Sequence, residues 1–255
     1  MIMRILLAGI ILAASTALAA EDKIIKLETR PAVSVSFYYM KRDGAVATLV
    51  LLPGGGGGIG LRDGVPTSRN FLVRTRDNFA AHGFNLAVVI RPSDKELDYD
   101  ARVTPEHIKD LREVVGHVKK DTGLPVWLIG TSRGTVSAAA AAIAFGNEEL
   151  AGIALTSSVT SRKRTGNLPG QRLEAIRIPV LVVHHEKDAC SVTIPTHAPW
   201  IIDGLKNAPV KKLVMVSGGS NPMGDPCENQ HWHGFIGMEK EAVEIVAGWI
   251  KNPKP

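Results

Sequence analysis

Cysteine is nearly absent from the sequence: Cys190 and Cys227 are the only two in 255 residues. A fold stapled by many disulfides is therefore excluded, and a chain of this length buries a sizeable core without them. A strong bias of charge is lacking too. The net charge is only +5, and the basic residues are scattered apart from Arg162-Lys163-Arg164, so there is no footprint for nucleic acid. That triplet reads as a solvated loop rather than a clamp for acidic substrates. No internal repeat, low-complexity linker or charge block divides the chain, and residues 20–255 read as a single domain. The hydrophobic fraction of 45% and the charged fraction of 22% are those of an ordinary soluble globular protein.

The first feature present is a targeting segment. Arg4 supplies a positive start, Ile5 to Ala14 an apolar run, and Ala17-Leu18-Ala19 the small-residue pattern of a cleavage site. The apolar run is short against the ~20 residues of a spanning helix, and Glu21-Asp22-Lys23 ends it abruptly. Residues 1–19 are expected to be a cleaved signal peptide, leaving no stable membrane anchor and a periplasmic or secreted protein. Export makes the cysteines informative. In an oxidising compartment a lone pair usually bridges, and a loop of this size gains about 4 kcal/mol in the chain-entropy model. The alternative is two unpaired buried thiols.

The mature chain alternates apolar, β-branched runs with amphipathic ones. Strands are expected at Val33–Tyr39, Ala47–Leu52, Leu86–Ile90, Val126–Ile129, Ile153–Leu155, Val180–Val183 and Lys212–Val216. The first two, joined through Arg42-Asp43-Gly44, suit an antiparallel hairpin. Helices are expected at Asn70–Ala81, from Thr104-Pro105-Glu106 to Gly123, at Arg133–Phe145, Trp200–Leu205 and Glu239–Ile250. Strands alternating with helices point to an α/β layered domain with a mostly parallel sheet.

Gly130-Thr131-Ser132-Arg133-Gly134 matches the G-x-S-x-G nucleophile elbow, with a strand before it and a helix after it. The serine sits on a tight turn, and the glycines flank it because strand and helix backbones nearly touch there. A tight turn with a capping serine is the bland alternative. A serine hydroxyl needs a base, and an acid and a histidine follow in the required chain order. Asp188 lies after the Val180–Val183 strand, with Glu186 and Asp203 as substitutes. His233 precedes the last helix, with His231 as runner-up. The backbone N–H of Arg133 is the expected first donor to an oxyanion. The second is expected at Gly55 or Gly56, in the loop Pro53-Gly-Gly-Gly-Gly-Gly58 that follows the Ala47–Leu52 strand.

Together these features resemble the α/β-hydrolase superfamily, and within it small exported hydrolases of undefined substrate. The resemblance covers nearly all of the mature chain. It rests on the signal peptide, the glycine loop, the elbow, the Asp188-x-Cys190 stretch and the Cys227…His233-Gly234-Phe235 ending. It implies an α/β fold: a mostly parallel twisted sheet with helices on both faces and no large lid, since residues 156–178 form only a short connection. It implies a Ser132-Asp188-His233 triad that cleaves a small-molecule acyl substrate through an acyl-enzyme, with no cofactor and no metal. A Cys190–Cys227 bridge would tie the acid loop to the histidine loop. One departure is Pro53, which stands where many members carry a histidine before the oxyanion glycines and leaves the second donor open. Arg91 and Arg133 read as solvated surface residues rather than as readers of an acidic substrate.

Three rival readings stand beside this one. Gly55-x-Gly57-x-x-Gly60 could cradle a dinucleotide, but Asp63-Gly64 and Pro66 interrupt the helix that should open there, and the next strand ends in Arg91-Pro92 with no acid for a ribose. A zinc site could use Cys227, His231, His233, Cys190, His184 and His185, although the spacing matches no common signature. A non-catalytic exported binding protein could use the same fold.

Overall fold

The computed structural model describes residues 22–255; the expected signal peptide lies outside them. Eight strands form one sheet in the order β1-β2-β6-β3-β7-β8-β9-β10. They are β1 (Lys23–Arg30), β2 (Val33–Met40), β3 (Ala47–Leu52), β6 (Phe84–Val89), β7 (Val126–Thr131), β8 (Gly152–Thr156), β9 (Val180–His185) and β10 (Lys211–Val216). A separate two-stranded hairpin is made of β4 (Leu61–Arg62) and β5 (Val65–Pro66). From β6 to β10 every pairing in the sheet is parallel, while β2 is antiparallel to both β1 and β6.

Helices cover both faces. Val50 and Leu52 of β3 face the side packed by α3 (Pro105–Thr122), α4 (Arg133–Phe145) and α5 (Pro199–Gly204). Leu49 and Leu51 face the side packed by α1 (Phe71–Arg74), α2 (Arg76–Ala81) and α6 (Glu239–Lys251). This explains why the parallel strands read as unbroken apolar runs: both faces are dry. The alanines at 138–142 of α4 are all buried, and their small side chains let the helix lie close to the sheet. Thr104 caps α3 by accepting from His107 N at 3.3 Å, with Pro105 in the first turn, and Gly123 ends it in the left-handed region at φ 66°.

Two expectations need correction. Strands β2 and β3 do not form a hairpin, because β6 lies between them. The connecting segment bonds to the start of that strand: Arg42 N donates to Asn85 Oδ1 at 2.8 Å and Val46 N to Gly83 O at 3.0 Å. A local turn signal says where the chain reverses, not which strand becomes its neighbour. The real hairpin is β1–β2, turning at Ala32 with φ 60°. The expected helix over 70–81 is two short helices. The run is interrupted at Thr75, which departs from helical geometry at φ −100° and ψ 6° and whose hydroxyl donates to Phe71 O at 2.7 Å.

Candidate active site

The C-terminal ends of the parallel strands gather the chemistry. Strand β7 runs into Ser132, which sits at φ 52° and ψ −127°, a conformation rarely adopted by a residue with a side chain. Helix α4 starts at the next residue, so its positive end lies beside the serine. Ser132 N donates to Thr156 O at 3.0 Å, which moors the turn to β8. The flanking glycines are required by space: a Cβ on Gly134 would strike Leu52 O, and one on Gly130 would lie 2.6 Å from Gly134 C.

Strand β9 delivers Asp188, and the loop before α6 delivers His233. Both are buried, at 4% exposure each. His233 Nδ1 lies 3.0 Å from Asp188 Oδ2. The carboxylate can only accept, so the imidazole proton sits on Nδ1 and leaves a lone pair on Nε2. Nε2 has no protein partner and is not sealed off from accessible space, and the same holds for Ser132 Oγ. No hydrogen bond joins the two atoms. The histidine loop is tied to the elbow through β8, where Ser157, next to the Thr156 that holds Ser132 N, donates its hydroxyl to His233 O at 2.8 Å.

The third part is the glycine loop after β3. Gly54 passes against the serine, where a Cβ would lie 2.9 Å from Ser132 Cβ. The backbone N–H groups of Arg133, Gly55 and Gly56 donate to no protein acceptor, so all three are free for a ligand.

No protein-family model and no curated protein matches the chain. Solved structures do match. One is an α/β serine hydrolase homologue from Coxiella burnetii, 17% identical, covering 92% of this chain and 99% of its own, with a TM-score of 0.62. A Pyrococcus furiosus esterase is 15% identical and covers 91% of this chain and 92% of its own, with a TM-score of 0.64. A dienelactone hydrolase from Anabaena variabilis is 14% identical over 91% of this chain and 97% of its own, with a TM-score of 0.61. The chain has the α/β-hydrolase fold.

On this α/β-hydrolase frame, the other acids and histidines weighed from sequence have different surroundings. Glu186 is exposed, and Asp203 lies on α5 with no bond to His233. His231 Nδ1 is buried without a partner and the ring packs edge-on against Trp232. His184 and His185 are the last residues of β9 and not loop. Burial pushes His184 down to about 4, so it is neutral at pH 7, and its Nε2 accepts from Ser158 N at 2.8 Å. His185 accepts from Lys187 N and donates to Gly218 O. Cys190 and Cys227 are joined in a disulfide, so neither thiolate is available to a metal. After the glycines the chain forms the β4–β5 hairpin, not the helix a dinucleotide needs.

Three contributors were not foreseen. Thr193 donates to Asp188 Oδ2 at 2.8 Å and lies 3.1 Å from His233 Nδ1, bridging the two side chains. Cys190 N donates to Asp188 Oδ1 at 3.0 Å. Arg102, only 1% exposed, holds the glycine loop from behind: its guanidinium donates to Pro53 O at 3.1 Å and Gly55 O at 3.0 Å, and also to Ser137 Oγ and Leu97 O. No carboxylate pairs with it. Burial first, and the Arg133 charge next, pull Arg102 down to about 9, so it stays a cation at neutral pH. A buried arginine among glycines was visible in none of the motifs.

Proposed function

We propose that this protein is a serine hydrolase that cleaves small carboxylic esters, or related acyl bonds, through an acyl-enzyme. One observation carries the reading: Ser132 is held at a strained elbow at the same end of the sheet as an Asp188–His233 pair whose Nε2 is free and open. In the mechanism, His233 Nε2 takes the Ser132 proton as Oγ attacks the acyl carbon. Asp188 stabilises the imidazolium and keeps the imidazole in the tautomer that can act as base. The Arg133 N–H, with Gly55 or Gly56, receives the negative oxygen, and Arg102 behind Gly55 O polarises the Gly55–Gly56 peptide so that Gly56 N–H is the stronger donor. The leaving group takes the proton from His233, and water then attacks the acyl-enzyme with His233 again as base.

The fold resembles that of esterases and serine hydrolases, and the short connection between β8 and β9 carries only two 3₁₀ turns, which favours small substrates. We also read the protein as exported after loss of residues 1–19. The N-terminal pattern and the Cys190–Cys227 disulfide support this. The test is a panel of short acyl esters with wild type and Ser132→Ala. Turnover by wild type that falls by at least about a thousandfold in the variant is expected. Equal turnover by both proteins would sink the proposal.

A further inference from the structure

Two guanidiniums, one of them from the residue after Ser132, lie on one aromatic ring and have no ion-pair or side-chain hydrogen-bond partner. Arg133, the residue after Ser132, places Cζ 4.6 Å from the centre of the Tyr99 ring. Arg164, from the loop after β8, places Cζ 5.3 Å from the same ring. Neither has a carboxylate within 4 Å, and neither side chain donates a hydrogen bond to the protein. Several other arginines do find acids: Arg30 pairs with Asp94 and Asp110, Arg74 with Glu239, Arg112 with Glu149. Arg91, considered from sequence together with Arg133, is paired with Glu96. What sets Arg133 and Arg164 apart is that two unpaired guanidiniums share one ring, and one of them belongs to the residue after Ser132.

The surroundings do not neutralise them. Asp98 and Asp100 flank Tyr99 and are exposed, but neither forms an ion pair with these arginines; Asp98 instead accepts from Ala101 N. Buried Arg102 adds a third positive charge close by. A guanidinium that lies over a ring uses its face, and its planar N–H edge stays free for a two-pronged contact with a carboxylate. Like charges brought together repel, and an incoming anion relieves that repulsion. The Arg162-Lys163-Arg164 triplet, which reads from the sequence as a solvated loop, thus contributes one member to the pair on Tyr99.

We propose that Arg133 and Arg164, seated on Tyr99, form a carboxylate-binding subsite, and that the substrates are esters bearing an anionic carboxylate. The proposal rests on the hydrolase reading above. The subsite fixes orientation, and its effect falls mainly on KM.

The test uses two matched pairs of esters: mono-4-nitrophenyl glutarate against 4-nitrophenyl pentanoate, and 4-acetoxybenzoate against 4-methylphenyl acetate. Uncatalysed rates are subtracted. In at least one pair, kcat/KM for the anionic ester should exceed that for the neutral one by about tenfold. That ratio should shrink with added sodium chloride, and it should approach one in Arg133→Gln and in Arg164→Gln. No preference in either pair, or a preference that survives both substitutions, overturns the subsite. The two proposals fail separately. If Ser132→Ala abolishes turnover and no anion preference exists, only the subsite falls. If Ser132→Ala retains full turnover of the neutral esters, the hydrolase reading itself falls.

Discussion

Asp188 and His233 are held by side chains and a covalent bridge, whereas the glycine loop is held through its carbonyls, by one buried cation and by backbone N–H groups of Arg91 and Leu97. On the acid–histidine side, Thr193 and Cys190 N each bond the carboxylate, Ser157 holds the histidine backbone, and the disulfide joins the two loops. In the glycine loop, Arg102 gathers Pro53 O and Gly55 O. Glycines offer no side chains with which to fix themselves, so their conformation is imposed from behind. Side-chain supports on the first side are shared and individually modest, while on the second, one buried side chain binds two carbonyls at once and is costly to lose.

The largest effect should come from Asp188→Asn, which leaves the shape intact but destroys the tautomer preference of His233. Its kcat should drop by about 10⁴-fold, measured on any ester the wild type cleaves. A loss under tenfold would mean that Thr193 alone can orient the imidazole. Next is Arg102→Met. It keeps much of the apolar stem but leaves two loop carbonyls unpaired and removes the buried charge. We expect kcat to fall by about a hundredfold with KM little changed, and Arg102→Lys to recover part of it. Equal loss in both variants would argue for charge-independent packing.

Reduction of the disulfide probes the covalent part of the first side. The bridge closes a loop with a sequence separation of 37, so up to about 4 kcal/mol of stability is at stake, or a thermal midpoint lower by about 10 °C. Activity below that midpoint should fall less than tenfold, because hydrogen bonds still hold the pair. No change in either quantity would mean that the bridge neither stabilises the fold nor positions the pair. The smallest effect belongs to Thr193→Val, with one hydroxyl lost: about 1 kcal/mol, or a severalfold drop in kcat, visible in steady-state kinetics with KM unchanged.

The same contrast marks what the sequence could reveal. The elbow was legible because Gly130 and Gly134 answer a local steric demand and α4 starts where the motif ends. Helix α3 was legible from its threonine cap, proline and terminal glycine. The supports were not. Thr193 meets His233 across 40 residues, and Arg102 meets Pro53 across 49; no local pattern encodes such pairings. Strand β1 escaped notice because as an edge strand it alternates exposed and half-buried residues, a weak apolar signal. The β2–β3 hairpin failed for a related reason: strand neighbours in a crossover sheet are a tertiary fact.

On the proposed reading, His233 makes Ser132 a nucleophile. Labelling with a fluorophosphonate, followed by peptide mass spectrometry, tests it directly. A single adduct on Ser132 is predicted, forming at least about a hundredfold more slowly in His233→Ala. Intact, folded protein that stays unlabelled, or an adduct on a different residue, would contradict it.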